Sequence, residues 1–356
     1  MKSSFIKVAA VAATLTIALT GCAGNEATGN SDLNGTLNGA GSSAMGSAQE
    51  AWIAEFQTTN GGVSINYDPT GSGAGREAFF AGSVNFAGSD SSLKDEELSL
   101  TSSNCAPDSK FFEIPVYVSP IAVIFNVDGV TDLNLSSETL AKIFKGNIKK
   151  WNDAAIVAEN PGVNLPAEAI TAVHRSDDSG TTKNFTDYLS KTASAIWDGE
   201  VSDVFPYKTG EGAKGTSGVV DAVKNGKNTI GYADASKAGD LGTAKLKVGE
   251  SWVAYSAEAA AKIVETSPRI EGRDANDMAV KIDRNSTDAT TYPLVLVSYA
   301  IGCTVYADAE IGKLVQSYVG YLVTEGAQAT AQKNAGSAPL TAAVREEAAA
   351  IIKNIK

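Results

Sequence analysis

His174-Arg175-Ser176-Asp177-Asp178-Ser179-Gly180-Thr181-Thr182 is the stretch on which the reading of this chain turns. An apolar run, Ala169-Ile170-Thr171-Ala172-Val173, precedes it and reads as a short buried strand. Phe185, Tyr188 and Leu189 follow at the spacing of one helix face. The stretch is therefore a strand-to-helix turn. It sets a cation, short hydroxyls and a glycine where a helix exposes its unpaired N–H groups. Such an arrangement suits an oxyanion. The plainer reading is an ordinary capped helix start, with Ser and Asp as caps. The rest of the chain has to decide between them.

Two further helix starts have the same character. Gly39-Ala40-Gly41-Ser42-Ser43-Ala44-Met45 leads into a helix whose buried face is Ala48, Trp52, Ile53 and Phe56. Val63, Ile65 and Tyr67 alternate as in a strand, and Thr70-Gly71-Ser72-Gly73-Ala74-Gly75-Arg76 then leads into Ala78, Phe79 and Phe80. A single glycine turn is common; three that each open a helix are more specific. After the second comes Val84-Asn85-Phe86-Ala87-Gly88-Ser89-Asp90, a strand ending in a carboxylate. Asp90 is otherwise a turn or cap residue.

The totals narrow the classes. At 356 residues the chain suggests two domains, by the usual prior of roughly 150 residues each. A hydrophobic content of 43% suffices for full cores. The net charge of −12 argues against nucleic-acid binding. An acidic protein still binds an anion where fixed dipoles act locally. His174 is the one histidine, which excludes a multi-histidine metal site and makes any Ser-His-Asp triad depend on it. Cys22, Cys105 and Cys303 form no CxxC pair, which argues against zinc and thioredoxin chemistry.

Lys2 and Lys7 precede an apolar run from Val8 to Leu19, followed by Thr20-Gly21-Cys22. This reads as a secretory signal over residues 1–21, not a membrane span. The Leu-x-Gly-Cys ending resembles a bacterial lipobox, which implies cleavage before Cys22 and lipidation of its thiol. A plain signal peptide with an incidental cysteine is the alternative. Cleavage would take the net charge to −14, so acyl chains and not electrostatics would hold the protein at the membrane. Residues 22–36, rich in Gly, Asn, Ser and Thr, read as a flexible lipidated tether.

Alternating strands and helices predict an α/β protein with mainly parallel sheets. Ile114 to Val127 and Tyr292 to Val305 are long β-rich runs that look like strands passing between domains. Pro115 and Pro120 argue against the first being one uninterrupted central strand. Two such crossings make the first domain discontinuous, over 37–118 and 292–356, with the second over 119–291. Cys105 and Cys303 would then both belong to the first domain, which makes them candidates for a disulfide. Two free, buried thiols are the alternative.

These segments together resemble the phosphate-specific substrate-binding lipoproteins of bacterial ABC importers. The matching residues are Gly39-Ala40-Gly41-Ser42-Ser43, Gly71-Ser72-Gly73, Phe86-Ala87-Gly88-Ser89-Asp90, Ile148-Lys149-Lys150-Trp151-Asn152-Asp153, Arg175-Ser176-Asp177-Asp178-Ser179-Gly180-Thr181 and Gly336-Ser337-Ala338-Pro339-Leu340. The resemblance runs from about residue 37 to the end of the sequence. It implies a two-domain periplasmic-binding-protein-like fold of type II, with two crossover strands and inorganic phosphate in the interdomain cleft. It implies donors from Ser43, the Ala44 backbone, Ser72, Arg175, Ser179, Gly180 and Thr181, and an acceptor at Asp90. The family often has an aromatic at Ala44 and a proline at Met45, so the shape of this first loop departs from the pattern. Asp177 is placed to pair with Arg175 and hold its fork.

The implied protein does no chemistry and needs no cofactor or metal. It is a monomer, lipid-anchored outside the cytoplasmic membrane, that hands phosphate to the importer's permease subunits. Three competing functions fit less well. A secreted phosphatase with Ser179 or Thr181 as nucleophile would need His174 as base, and strand alternation points His174 away from the face of Arg175. A binder of a different tetrahedral oxyanion, such as sulfate, would have to tolerate the Asp90 carboxylate. A structural surface lipoprotein would bind no anion at all.

Overall fold

The computed structural model describes residues 33–356. The signal segment, Cys22 and most of the tether therefore lie outside the described residues.

One long strand joins two half-sheets. The first has the order β2-β1-β3-β11-β4, built from β1 (Gly35–Gly41), β2 (Val63–Asp68), β3 (Phe86–Ser89), β11 (Val295–Cys303) and the first half of β4 (Phe111–Asn126). The second continues from β4 to β8 (Thr229–Asp234), β6 (Thr171–Arg175) and β7 (Glu211–Ala213). Beside β4 lies β9 (Gly242–Val248), which also pairs with β5 (Asp132–Leu135) and β10 (Ser251–Val253).

Helices cover both. The first lobe carries α1 (Gly46–Thr59), α2 (Ser72–Phe80), α8 (Ala309–Leu322), α9 (Glu325–Ala335) and α10 (Ala342–Ile352). The second carries α3 (Ser137–Lys145), α4 (Ala154–Glu159), α5 (Gly180–Thr192) and α6 (Gly215–Asn225). Between them in sequence runs α7 (Ala257–Glu265). Helix ends follow the local chemistry. The Ser136 side chain accepts from the Thr139 N–H to start α3, and Gly146 in the left-handed region (φ 82°) stops it.

Three expectations change. First, β4 is continuous, prolines included. Pro115 pairs with Tyr299 beside a register shift, and Pro120 makes the last β11 pair before Ile121 turns to β8. The prolines thus sit where the ladder changes, and a missing N–H costs least there. Second, β11 pairs only with β3 and β4 of the first half-sheet; the return crossing is confined to the residues before Val295, where Leu294 accepts from the Ile121 N–H at 2.9 Å. Third, the sheet is mixed rather than mainly parallel. The ladders that β4 and β11 make with each other, with β3, with β8 and with β9 are all antiparallel.

Residues after α7, grouped with the second domain by sequence, lean on the first half-sheet. Met278 donates to the Glu113 carbonyl at 2.8 Å and Val280 to the Tyr299 hydroxyl at 3.1 Å. Burial of Met278 favours this course. Cys105 and Cys303 are joined as a disulfide across 198 residues of sequence, tying the loop before β4 to the end of β11. By the chain-entropy argument a closed loop of this length contributes up to about 5 kcal/mol.

Glu113 on β4 is a cost of this packing. It is buried, its Oε1 accepts from the Leu93 N–H at 2.9 Å, and among the described residues its Oε2 has no hydrogen-bond partner. The nearest cation to it is Arg273, at 3.9 Å. Burial, with the Asp277 charge beside it, pushes the Glu113 carboxyl well above its usual range. A carboxyl raised on folding stabilises least once the unfolded chain has ionised, so this group erodes stability as pH rises above about 4. Glu113→Gln keeps the bond to Leu93 and cannot ionise. Thermal melts should show the variant about 2–4 °C more stable than wild type at pH 7, with the gap closing near pH 4. A constant gap across that range would refute the assignment.

Candidate functional site

The site lies where helix starts from both lobes meet. At the end of β6, Arg175 is only 3% exposed. Its Nε donates to Asp177 Oδ1 at 2.7 Å and its Nη2 to Asp177 Oδ2 at 2.5 Å, a bidentate grip that fixes the guanidinium plane. Gly215, at the start of α6, donates its N–H to the same Oδ1 at 3.0 Å. Burial works against the Asp177 charge, but the Arg175 hydrogen bond and charge outweigh it and hold Asp177 below the usual carboxylate range. Behind the strand, the Tyr232 hydroxyl accepts from the Arg175 N–H at 3.3 Å and pairs with Thr182 Oγ1 at 2.7 Å.

Asp90 follows β3 and is 3% exposed. Ser298 Oγ donates to its Oδ1 at 2.8 Å and Thr181 Oγ1 to its Oδ2 at 3.1 Å. Its backbone N–H donates to Ser72 Oγ at 3.1 Å, and its carbonyl accepts from Asn184 Nδ2 at 2.6 Å. Burial pushes the Asp90 carboxyl up, while Ser42, Ser298, the Arg175 charge and Thr181 pull it down. A carboxylate has about four lone-pair directions, so acceptor capacity remains beyond these two donors.

The lobes are in direct contact here. A side chain at Gly180 would meet Ser72 Oγ at 2.7 Å and Asp90 Cβ at 2.8 Å. Gly71, at φ 109°, would set a Cβ 2.5 Å from Asp177 Oδ2. Both glycines are required by close approach. The starts of α2 and α5 thus abut, and Gly73 donates across the seam to the Asp178 carbonyl at 3.0 Å.

Of the expected residues, the structure gathers Ser72, Asp90, Arg175, Asp177, Gly180 and Thr181 into one cluster. Ser179 is adjacent: its side chain accepts from the Thr182 N–H at 3.2 Å to cap α5, and its own N–H goes to the Asp203 carbonyl at 2.9 Å. That N–H is therefore not directed at the cleft, though the hydroxyl proton remains to donate. The first loop differs more. Ser43 accepts from the Thr216 N–H at 3.1 Å, across the lobes, and its hydroxyl pairs with Thr216 Oγ1 at 3.0 Å. Ala44 spends its N–H on Ser42 Oγ at 3.1 Å. The residue turned toward Asp90 in this loop is Ser42, not Ser43.

Ser42, Ser298 and Thr216 were missed by sequence reasoning. Ser298 had a signal: a hydroxyl inside an apolar strand needs a buried partner. His174 stacks on Phe205 with centroids 4.0 Å apart, and its Nδ1 lies 2.9 Å from the Arg175 carbonyl oxygen, so the ring is engaged away from the helix start. The Lys149–Asp153 segment is structural: the Lys149 carbonyl accepts from Ile170, Trp151 is buried, and Asp153 caps α4. The late Gly336–Leu340 segment packs at the crossing, where Ala338 donates to the Val118 carbonyl at 2.8 Å. Among the described residues no cluster of three or more His, Cys, Asp or Glu side chains is arranged to hold a metal ion, and no helix is long and apolar enough to cross a membrane.

A buried cation, a buried acceptor and helix starts opposed across two lobes make an anion trap. Residues 26–325 match the model of the PBP superfamily domain. The chain belongs to this family. Phosphate-binding protein PstS 3 of Mycobacterium leprae is 37% identical over 289 residues, covering 80% of this chain and 78% of that protein. Phosphate-binding protein PstS 2 of Mycobacterium tuberculosis is 32% identical over 359 residues, covering 96% and 95%. Among solved structures, the periplasmic phosphate-binding protein PfluDING bound with phosphate aligns at TM-score 0.72 and 22% identity, over 89% of this chain and 93% of that one. A phosphate binding protein from Stenotrophomonas maltophilia aligns at 0.68 and 21%, over 89% and 93%. These structural likenesses establish the fold alone, two lobes of the PBP type.

The Arg175–Asp177 grip can be tested by itself. Asp177 has a depressed folded pKa, so its stabilisation is present above the unfolded value near 3.9 and is lost as pH falls through the folded one. Asp177→Asn should cost about 1.5–3 kcal/mol in urea unfolding at pH 7, with the loss shrinking below pH 4. A loss that does not change with pH would show that the charge is irrelevant.

Proposed function

We propose that this protein is an extracytoplasmic solute-binding protein that captures inorganic phosphate and passes it to the permease of an ABC importer. The observation that carries the reading is that buried Arg175 and buried Asp90, 3% exposed each, lie beside the abutting starts of α2 and α5, close enough for the arginine charge to act on the carboxyl. Free phosphate has no apolar surface, so its affinity must come from hydrogen bonds and dipoles in a dry cleft. Ser42, Ser43, Ser72, Arg175, Ser179, Gly180 and Thr181 would supply donors, with Asp177 holding the arginine fork. The curated relatives named for phosphate binding support this ligand.

The lobes would be residues 37–118 with 292–356, and residues 119–291 apart from the stretch after α7 that leans on the first half-sheet, closing on the anion as a hinge. No bond is made or broken. A phosphatase is disfavoured by the position of His174, stacked on Phe205. In our reading the protein acts as a monomer, and a lipid on Cys22 anchors it outside the cytoplasmic membrane beside the permease. Mass spectrometry of protein extracted from membranes would test the anchor.

Asp90 would set selectivity. Phosphate near neutral pH keeps at least one proton, which Asp90 can accept as a hydrogen bond. Sulfate keeps none and would meet the carboxylate as like charge at close range, at a cost of several kcal/mol.

Two outcomes are expected. Phosphate-stripped protein should bind one phosphate in calorimetry. A micromolar constant would correspond to about −8 kcal/mol, and a hundredfold excess should add roughly 2.7 kcal/mol to stability. No heat and an unmoved melt would reject the function. In Asp90→Asn, sulfate affinity should rise relative to phosphate; an unchanged ratio would reduce Asp90 to a structural residue.

A further inference from the structure

Away from the ligand cluster, a second charged cluster crosses the same seam. Arg76 lies on α2, four residues after Ser72, and is 1% exposed. Three of its partners belong to the first lobe: Glu97 Oε1 at 2.9 Å, Ser89 Oγ at 2.9 Å and Ser91 Oγ at 3.0 Å. The two serines flank Asp90 in sequence. Its fourth partner, Asp203 Oδ2 at 2.9 Å, comes from the second lobe.

Asp203 sits in the loop after α5. Its whole side chain is held by the opposite lobe: Arg76 Nη2 and Lys94 Nζ (3.7 Å) on Oδ2, and Ser91 Oγ (3.1 Å) on Oδ1. Its backbone stays with its own lobe, where the carbonyl accepts the Ser179 N–H at 2.9 Å. A rigid line therefore runs from the start of α2 through Arg76 and Asp203 to the start of α5. It joins the two helix starts that would hold the anion, and none of its charged groups belongs to the ligand set.

The asymmetry of the pairing is what makes it a latch. If the lobes part, Arg76 keeps Glu97, so no buried cation is stranded. Asp203 loses all three of these partners and returns to water, keeping from its own lobe the nearby charge of Lys183 on α5. Opening thus exchanges a set of charge-assisted hydrogen bonds for hydration, without breaking the core of either lobe. Burial works against the Asp203 charge, and Arg76 and Lys183 more than compensate, holding its carboxyl below the usual range.

We propose that Asp203 is a positioning residue for closure: docked on Arg76, Ser91 and Lys94, it holds the lobes shut over bound anion and sets the release rate without touching the ligand. This rests on the phosphate reading. A contact made only in the closed state adds to affinity through the dissociation step and leaves the encounter unchanged.

The test is stopped-flow phosphate binding and release on the full chain, with calorimetry on wild type alongside. Asp203→Asn should speed release by about 5- to 150-fold, the usual span of coupling between two sites. The association rate, the ligand-free melting temperature and the phosphate-to-sulfate ratio should stay at wild-type values. Arg76→Lys should also speed release, and the double variant should lose less than the two single losses combined, because both act through one contact. Should Asp203→Asn not fold, Ser91→Ala, which removes the Oδ1 partner together with one of the Arg76 hydrogen bonds, is read the same way. Unchanged release, additive losses, or a ligand-free melt that falls in step with affinity would overturn the latch while leaving the phosphate reading intact. A wild type that gives no heat with phosphate would overturn both.

Discussion

A guanidinium cannot shed its charge, so burying one requires a matched anion within reach. Arg175 is buried at the end of β6, and the chain supplies its partner two residues later. Much of the centre of the molecule follows from that pairing. The turn between β6 and α5 must fold back so that Asp177 reaches the fork. Its carboxylate then attracts the Gly215 N–H, which fixes where α6 begins. Gly71 must lack a side chain because Asp177 occupies that space from the other lobe. With the arginine held on one side, its remaining face and its field are left for the cleft, where the Arg175 charge helps offset the burial of Asp90.

The strand that joins the lobes is the second constraint. A ligand site built from two lobes needs each lobe to keep its own core while the connection stays narrow. In β4 the partner changes from β11 to β8 between Pro120 and Ile121, so each half is sewn into a different half-sheet. Close to this change, the Tyr117 hydroxyl donates to buried Asp234 Oδ1 at 3.1 Å, linking the first half of β4 to the end of β8. The disulfide lies at the far end of the first half-sheet, where it staples the discontinuous first lobe.

The legible parts of the fold were those with a local cause. The β6–α5 turn, the starts of α1 and α2 and the strand before Asp90 each carry their own signals in residue spacing and glycine turns. The helix α9 was missed because Glu325–Ala335 is made of small and polar residues with little apolar periodicity. The continuity of β4 was missed because proline is read locally, whereas its cost depends on whether a partner strand faces it. In the site, the residues in the motif stretches came together, but Ser298 reaches Asp90 across 208 positions and Thr216 reaches Ser43 across 173. Such contacts are set by topology alone. The turn of Ser42 toward Asp90 has the same origin: in a loop that departs from its pattern, which hydroxyl faces the carboxylate depends on the N–H groups it must cap.

An acidic chain that binds an anion also has a kinetic consequence. With a net charge of −12 the surface offers no attractive field at long range, and at physiological salt such fields fade over about 8 Å. The favourable terms are the Arg175 charge and the aligned N–H groups of helix starts, and both act only at close range within the buried cluster. Encounter is therefore unsteered, and its rate is that of ordinary diffusion into a cleft. Affinity must then reside in slow departure. Slow departure in turn requires that the closed arrangement be stabilised by more than the ligand's own contacts, since an anion released from a dry site regains its full hydration. Contacts between the lobes are the only reserve from which that stabilisation can come. Where α2 and α5 abut, the seam is accordingly held by charge-assisted and backbone hydrogen bonds, and such polar pairs can be re-solvated on opening.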